Sequence, residues 1–199
     1  MTLEDDPWVK ESSAFGTARL HALGCVSINW NSCEHEVQDL LGIVAGIKTS
    51  IARALSHDFG NVSIWSKIIG VAEVRGHPED VLETMRFAAR LFDRNRINRN
   101  TLVHATLEFN NDHTGMDDIL KLVRVRGMRQ ERDDITADLS TLRRVADDIS
   151  GLRKYLRELT VATYLRLHPE LKGLDGQPMS PMDWPERPQI PVAVVPPRS

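Results

Sequence analysis

The chain reads as a mainly α protein: a bundle of long helices with a small β-hairpin insertion and an extended, proline-rich C-terminal tail. Three observations predict this. Apolar residues recur at helical spacing over long stretches. One short segment, near 119–133, is instead rich in branched residues with partial alternation. Eight of the ten prolines lie from residue 169 onward, where they bar a helix or a central strand. With 199 residues and 41% hydrophobic content the chain can bury one sizeable core. The expected organisation is an N-terminal extension (1–16), one helical domain (17–166) and the tail (167–199). Nothing repeats at a fixed period, which argues against a solenoid.

The first long helix carries its apolar stripe through Leu20, Leu23, Trp30, Val37, Leu41, Val44, Ile47 and Ile51. Glu34 sits inside that stripe, where a carboxylate needs a partner. The expected partner is a nearby arginine, either at the helix boundary or, more specifically, Arg99 or Arg96, which Glu34 would orient. Residues 56–61 have loop composition, and Asn61 is an expected N-cap for a helix through Ile64, Trp65, Ile68 and Ile69. Gly76-His77-Pro78 breaks the chain. Pro78, with Glu79 and Asp80 at the positive end of the dipole, opens the next helix. Its apolar positions Leu82, Met85, Ala89 and Phe92 give way to Asp93-Arg94-Asn95-Arg96, so a kink, a break or a polar dimer seam is expected there. Residues 108–115 read as loop, Leu120–Arg126 as a strand turning at Gly127, and Thr136 as the N-cap of a final helix with Leu139, Leu142, Val145, Ile149, Leu152, Leu156, Leu159 and Leu165 on its apolar face. In the tail, Trp184, Ile190, Val192, Val194 and Val195 are apolar anchors, either for packing back onto the domain or for capture by a partner protein.

The segment with the most chemistry is Arg99-Asn100-Thr101-Leu102-Val103-His104. On a helix, Asn100 and His104 share a face and Arg99 is long enough to reach round to it. A guanidinium, an amide and an imidazole together can hold a phosphate and move a proton beside it. Arg86, Arg90, Arg94, Arg96 and Arg99 lead into this motif. They form a local basic patch in a chain whose net charge of −3 gives no global attraction to nucleic acid. The plainer reading of that run is a solvated helix face.

Other chemistries find no pattern. The seven histidines show no metal-ligand spacing, and there is no C-x-x-C, H-E-x-x-H, nucleophile elbow, P-loop or dinucleotide-binding glycine motif. No metal and no cofactor are expected. Cys25 and Cys33, about 12 Å apart along one helix, are too distant for a disulfide. The acidic start is unlike a signal peptide and no apolar run reaches membrane-spanning length, so a cytoplasmic protein without a membrane partner is expected.

The order R-N-x-x-x-H, late in a long helix and followed by a loop, resembles the R-x(4 to 6)-H signature of the HEPN family (higher eukaryotes and prokaryotes nucleotide-binding). His104 is followed by Ala105 where many relatives have Gly. The resemblance implies a helical bundle that pairs as a homodimer, bringing two copies of the motif to one cleft. It implies a metal-independent endoribonuclease, a toxin or a stress or defence effector, with Arg99, Asn100 and His104 catalytic. Glu34 and Arg96 would support them, and Arg86, Arg90 and Arg94 would hold RNA. An antitoxin or other partner protein would engage the tail. Two readings stand beside it: a non-catalytic helical dimer that binds a partner protein or nucleotide, and a regulator that contacts nucleic acid through the arginine-rich face alone.

Overall fold

The computed structural model describes residues 16–57, 59–103, 106–108, 119–126 and 131–194. The described chain is mainly helical, as its periodicity predicts. Its order is α1 (Thr17–Ala45), α2 (Thr49–Ser56), α3 (Asn61–Val74), α4 (Glu79–Val103), β1 (Thr106–Glu108), β2 (Ile119–Arg126), β3 (Glu131–Asp138) and α5 (Leu139–Leu167). No helix among the described residues is long and apolar enough to cross a membrane.

By its contacts the chain divides into two compact units. One, helical, comprises Trp30–Arg94 and Ser150–Pro191; the other, mixed, comprises the chain up to Asn29, Asn95–Ile149 and the chain from Val192.

In the helical unit the buried apolar side chains of α1 are Trp30, Cys33, Val37, Leu40, Leu41 and Val44, a three-and-four spacing that holds one face inward. Trp30 lies 4.6 Å from Phe92 of α4, and Phe92 lies 5.8 Å from Trp65 of α3, centroid to centroid. These tilted contacts add to the area each ring buries. Ile68, Met85, Leu91, Leu152, Leu156 and Leu159 complete the largest buried side chains of this unit.

The stripe expected to continue to Ile51 instead stops at Gly46, whose φ of 64° ends α1. Gly46 N–H bonds the Ile43 carbonyl and Ile47 N–H the Gly42 carbonyl, the paired closure of a Schellman end. Two further carbonyls are capped from the turn after α3: Arg75 Nη1 donates to Ala45 O at 2.6 Å, and His77 Nε2 lies 3.0 Å from Val44 O. The α3 end repeats the device. Gly76, at φ 68°, bonds Glu73 O, and His77 N–H bonds Ala72 O.

Both expected N-caps fall elsewhere. Gly60, not Asn61, precedes α3, and it makes no side-chain cap. Asn61 is the first helical residue. Thr136 lies within β3, opposite Lys121, and α5 is capped by Asp138. The Asp138 carboxylate accepts from Thr141 N–H at 2.7 Å and from Ser140 Oγ at 2.8 Å. These bonds to Thr141 and Ser140 hold its pKa down at about 2.

In the mixed unit the strands form one antiparallel sheet, ordered β1-β2-β3. The expected hairpin is present as β2 and β3, and β3 runs to Asp138, beyond the expected end near 133. β1 adds a third strand next to a segment read as loop. The register sets Arg124 opposite Asp133 and Arg126 opposite Glu131. The expected turn at Gly127 lies outside the described residues. Among the described residues of this unit, Ala22, Val26, Leu102, Ala137, Leu142, Val145, Ala146 and Ile149 are buried and apolar.

After α5, residues 168–194 form neither helix nor strand beyond one bridge between Lys172 and Pro178. They pack back onto their own chain. In the helical unit Trp184 Nε1 donates to Asp80 Oδ2 at 3.0 Å, and Arg166, bonded to the same oxygen, stacks 4.3 Å above the Trp184 ring. Arg187 Nη1 bonds Glu83 and lies over Phe87. Of the expected anchors, Ile190 is 44% exposed and Val195 lies outside the described residues.

Candidate functional site

The motif helix α4 begins where Pro78 supplies the first accepting carbonyl, to Val81 and Leu82, with Glu79 and Asp80 in its first turn. It then runs unbroken for 25 residues to Val103. The polar interruption before the motif is therefore neither a break nor a helix end. It is a buried polar face: Asn95, Asn98 and Thr101, three residues apart, are 0%, 1% and 1% exposed. Thr101 Oγ1 returns its proton to the Ile97 carbonyl. Asn98 spends both ends of its amide on the tail, donating to Val192 O at 2.9 Å and accepting from Val194 N–H at 3.0 Å. Arg144 of α5 donates to the same Val192 carbonyl. Val192 is thus anchored through its backbone; its side chain is 75% exposed.

Arg99 and Asn100 occupy the last turn of α4, both half-buried. Arg99 Nη1 donates to Asn100 Oδ1 at 3.0 Å, so the amide orients the guanidinium beside it. His104 is the next residue but one after Leu102 and lies outside the described residues. Searches of protein-family models, curated proteins and solved structures return no match for the chain.

The arginines leading into the motif are not equivalent. Arg86 bonds Glu79 Oε1 at 2.7 Å and Glu73 Oε1 at 3.1 Å, and these bonds raise its pKa. Two carboxylates thus meet its charge. Arg90 is exposed and lies 6.0 Å from the Phe87 ring centre. Arg94 and Arg96 are half-buried on the following turn.

Glu34 has different partners from the arginines expected of it. Its Oε1 accepts from Trp30 Nε1 and from Asn61 Nδ2, each at 2.7 Å. An indole and an amide hold the carboxylate, and Asn61, expected as a cap, is the side chain spent on it.

Cys33 is fully buried. Burial pushes its thiol up to about 12, with Glu36 and Glu34 acting in the same direction against Arg153, so it is unsuited to nucleophilic work. Neither cysteine forms a disulfide. Among the described residues no group of His, Cys, Asp and Glu could hold a metal ion. The features that sequence reasoning missed are the Asn98 clamp and the surroundings of Glu34. A spacing of three between Asn95, Asn98 and Thr101 was the available signal of a buried polar face.

Proposed function

We propose that the protein is a metal-independent endoribonuclease of HEPN type. The observation that carries this reading is the R-N-x-x-x-H order, with Arg99 hydrogen-bonded to Asn100 in the closing turn of a long helix and His104 just beyond it. In the proposed reaction a base removes the proton of a ribose 2′-hydroxyl. The 2′-oxygen bonds to the adjacent phosphorus as the bond to the 5′-oxygen breaks, and an acid protonates that leaving oxygen. The products carry a 2′,3′-cyclic phosphate and a 5′-hydroxyl. His104 acts as base or acid, and Arg99 stabilises the charge gathering on the phosphate oxygens. Asn100 keeps the guanidinium aimed.

One histidine cannot serve as both base and acid in a single step. A homodimer that brings two motifs to one cleft supplies the second. Arg90 and Arg94 would guide the RNA backbone, with Arg86 weaker because two carboxylates already meet it, and Arg96 would support the motif. A looped or single-stranded RNA suits in-line attack, since an A-form duplex restrains the backbone. A cytoplasmic toxin or stress effector, checked by an antitoxin or other protein at the tail, is the biological setting that fits this chemistry.

The test is cleavage of end-labelled RNA by the purified protein in EDTA. His104→Ala is expected to lower the rate about 10² to 10⁴-fold with the fold intact. Arg99→Lys should also fail, because a point charge cannot reproduce the planar fork on phosphate. Equal, negligible cleavage by wild type and His104→Ala across a broad RNA pool would favour a non-catalytic dimer that binds a partner protein or nucleotide.

A further inference from the structure

A cavity of about 210 Å³ opens in the helical unit beside Glu34, and none of its described lining residues has a role in the proposed cleavage. Its walls include Glu34 and Gln38 of α1, His57 and Phe59 of the α2–α3 connection, Asn61 of α3 and Phe92 of α4. That volume is roughly seven waters' worth of liquid, too small for a nucleotide and large enough for a group of a few heavy atoms.

The character of the lining narrows what enters. Among the described residues Glu34 is the one carboxylate in it, and none of the described lining residues is Lys or Arg. An anion would meet the negative charge of Glu34. Both hydrogen bonds to Glu34 converge on Oε1, from Trp30 and Asn61. The carboxylate is therefore fixed in place while its second oxygen has no donor among the described residues. Asn61, having spent a donor on Glu34, retains its acceptor Oδ1, and Gln38 adds another amide oxygen. Phe92 is buried against Trp30 and Trp65, and Phe59, 37% exposed, is the aromatic surface the site offers, the kind on which a cation rests. A metal ion is poorly matched, because hard cations need several oxygens and no ligating group of acids and histidines occurs here among the described residues.

We propose that this cavity binds a small organic cation, an alkylammonium or guanidinium, whose charge is met by Glu34. The cation is either a free amine or guanidine, or the end of a Lys or Arg side chain presented by a peptide; the chemistry recognised is the same. The assignment is independent of the ribonuclease reading and would survive its failure.

The pocket carries its own reporter, since the Trp30 indole N–H bonds the carboxylate that receives the ligand. The full-length protein is titrated with methylguanidinium and with butylammonium, following the Trp30 indole signal by nitrogen–proton correlation NMR. Sodium chloride at matched ionic strength and neutral acetamide are the controls. A saturable shift is expected with the cations at millimolar concentration and not with the controls. Glu34→Gln keeps an oxygen for Trp30 and Asn61 but removes the charge, and should weaken binding at least about 10-fold. Phe59→Leu, at the exposed edge, should weaken it about threefold, and serves if Glu34→Gln does not fold. A short arginine peptide that binds tighter than methylguanidinium identifies a peptide side chain as the source; the reverse order identifies a free amine or guanidine. An identical response in wild type and Glu34→Gln, a response matched by sodium chloride, or none at all overturns the proposal.

Discussion

Asn98 is the residue on which the neighbourhood of the motif most depends. It is buried, it precedes Arg99, and its amide substitutes for a strand partner by pairing with both the carbonyl of Val192 and the N–H of Val194. Removing it leaves the Val194 N–H without its acceptor, while Arg144 still reaches the Val192 carbonyl. Asn98→Ala should therefore cost about 1–3 kcal/mol in urea unfolding, and it should hasten protease cleavage between residues 188 and 194. Asn98→Asp keeps the acceptor for Val194 but loses the donor and buries a charge, so it should be no milder. An unchanged melt and unchanged cleavage for both variants would mean that the clamp does not hold the tail.

At the scale of elements, the helix ends carry the clearest consequences. Gly46 and Gly76 close their helices in the same left-handed geometry, yet their surroundings differ. A Cβ on Gly46 would lie 2.8 Å from Arg75 Nη1, whereas one on Gly76 meets nothing within 4 Å. Gly76→Ala should cost about 1 kcal/mol from backbone strain alone, and Gly46→Ala more, about 2 kcal/mol, because it also pushes Arg75 off the Ala45 carbonyl. Equal losses would show that Arg75 gives way freely. The Asp138 cap has a pH signature. Its folded pKa, about 2, lies below the ordinary 3.8, so its contribution is fully present above that ordinary value and is lost as pH falls through about 2. Wild type should lose its advantage over Asp138→Ala across that window in acid-denaturation curves, and a constant gap would refute the assignment. These ends also mark where the sequence was hard to read. The long apolar periods of α1, α4 and α5 were legible because burial imposes them. The α1–α2 break was not, since Ile47 and Ile51 continue the helical phase past Gly46 although both are substantially exposed. β3 was hidden for another reason: Glu131-Arg132-Asp133-Asp134 has little β propensity of its own and takes its conformation from pairing with β2.

Over the whole molecule, the local half of the candidate site was legible and the long-range half was not. Arg99 and Asn100 are neighbours in sequence, so helical geometry alone brings them together. Trp30 reaches Glu34 from one turn away on the same helix, but Asn61, the other partner of Glu34, and the partners of Asn98 lie 27 and more than 90 residues away along the chain, beyond the reach of any spacing argument. What the ribonuclease reading demands at this scale is a second chain, because concerted transfer needs a base and an acid on opposite sides of the phosphate and each protomer offers one motif histidine. A homodimer should therefore appear in light scattering at twice the 22.5 kDa of the single chain. Activity should follow the dimer rather than the chain. When the protein is diluted through the dissociation range, cleavage per protomer should fall in proportion to the fraction paired, and added inactive His104→Ala chains should depress it further by forming mixed pairs. A monomer whose rate per chain is constant on dilution would show that one motif suffices, and the composite cleft would have to be abandoned even if RNA were cut.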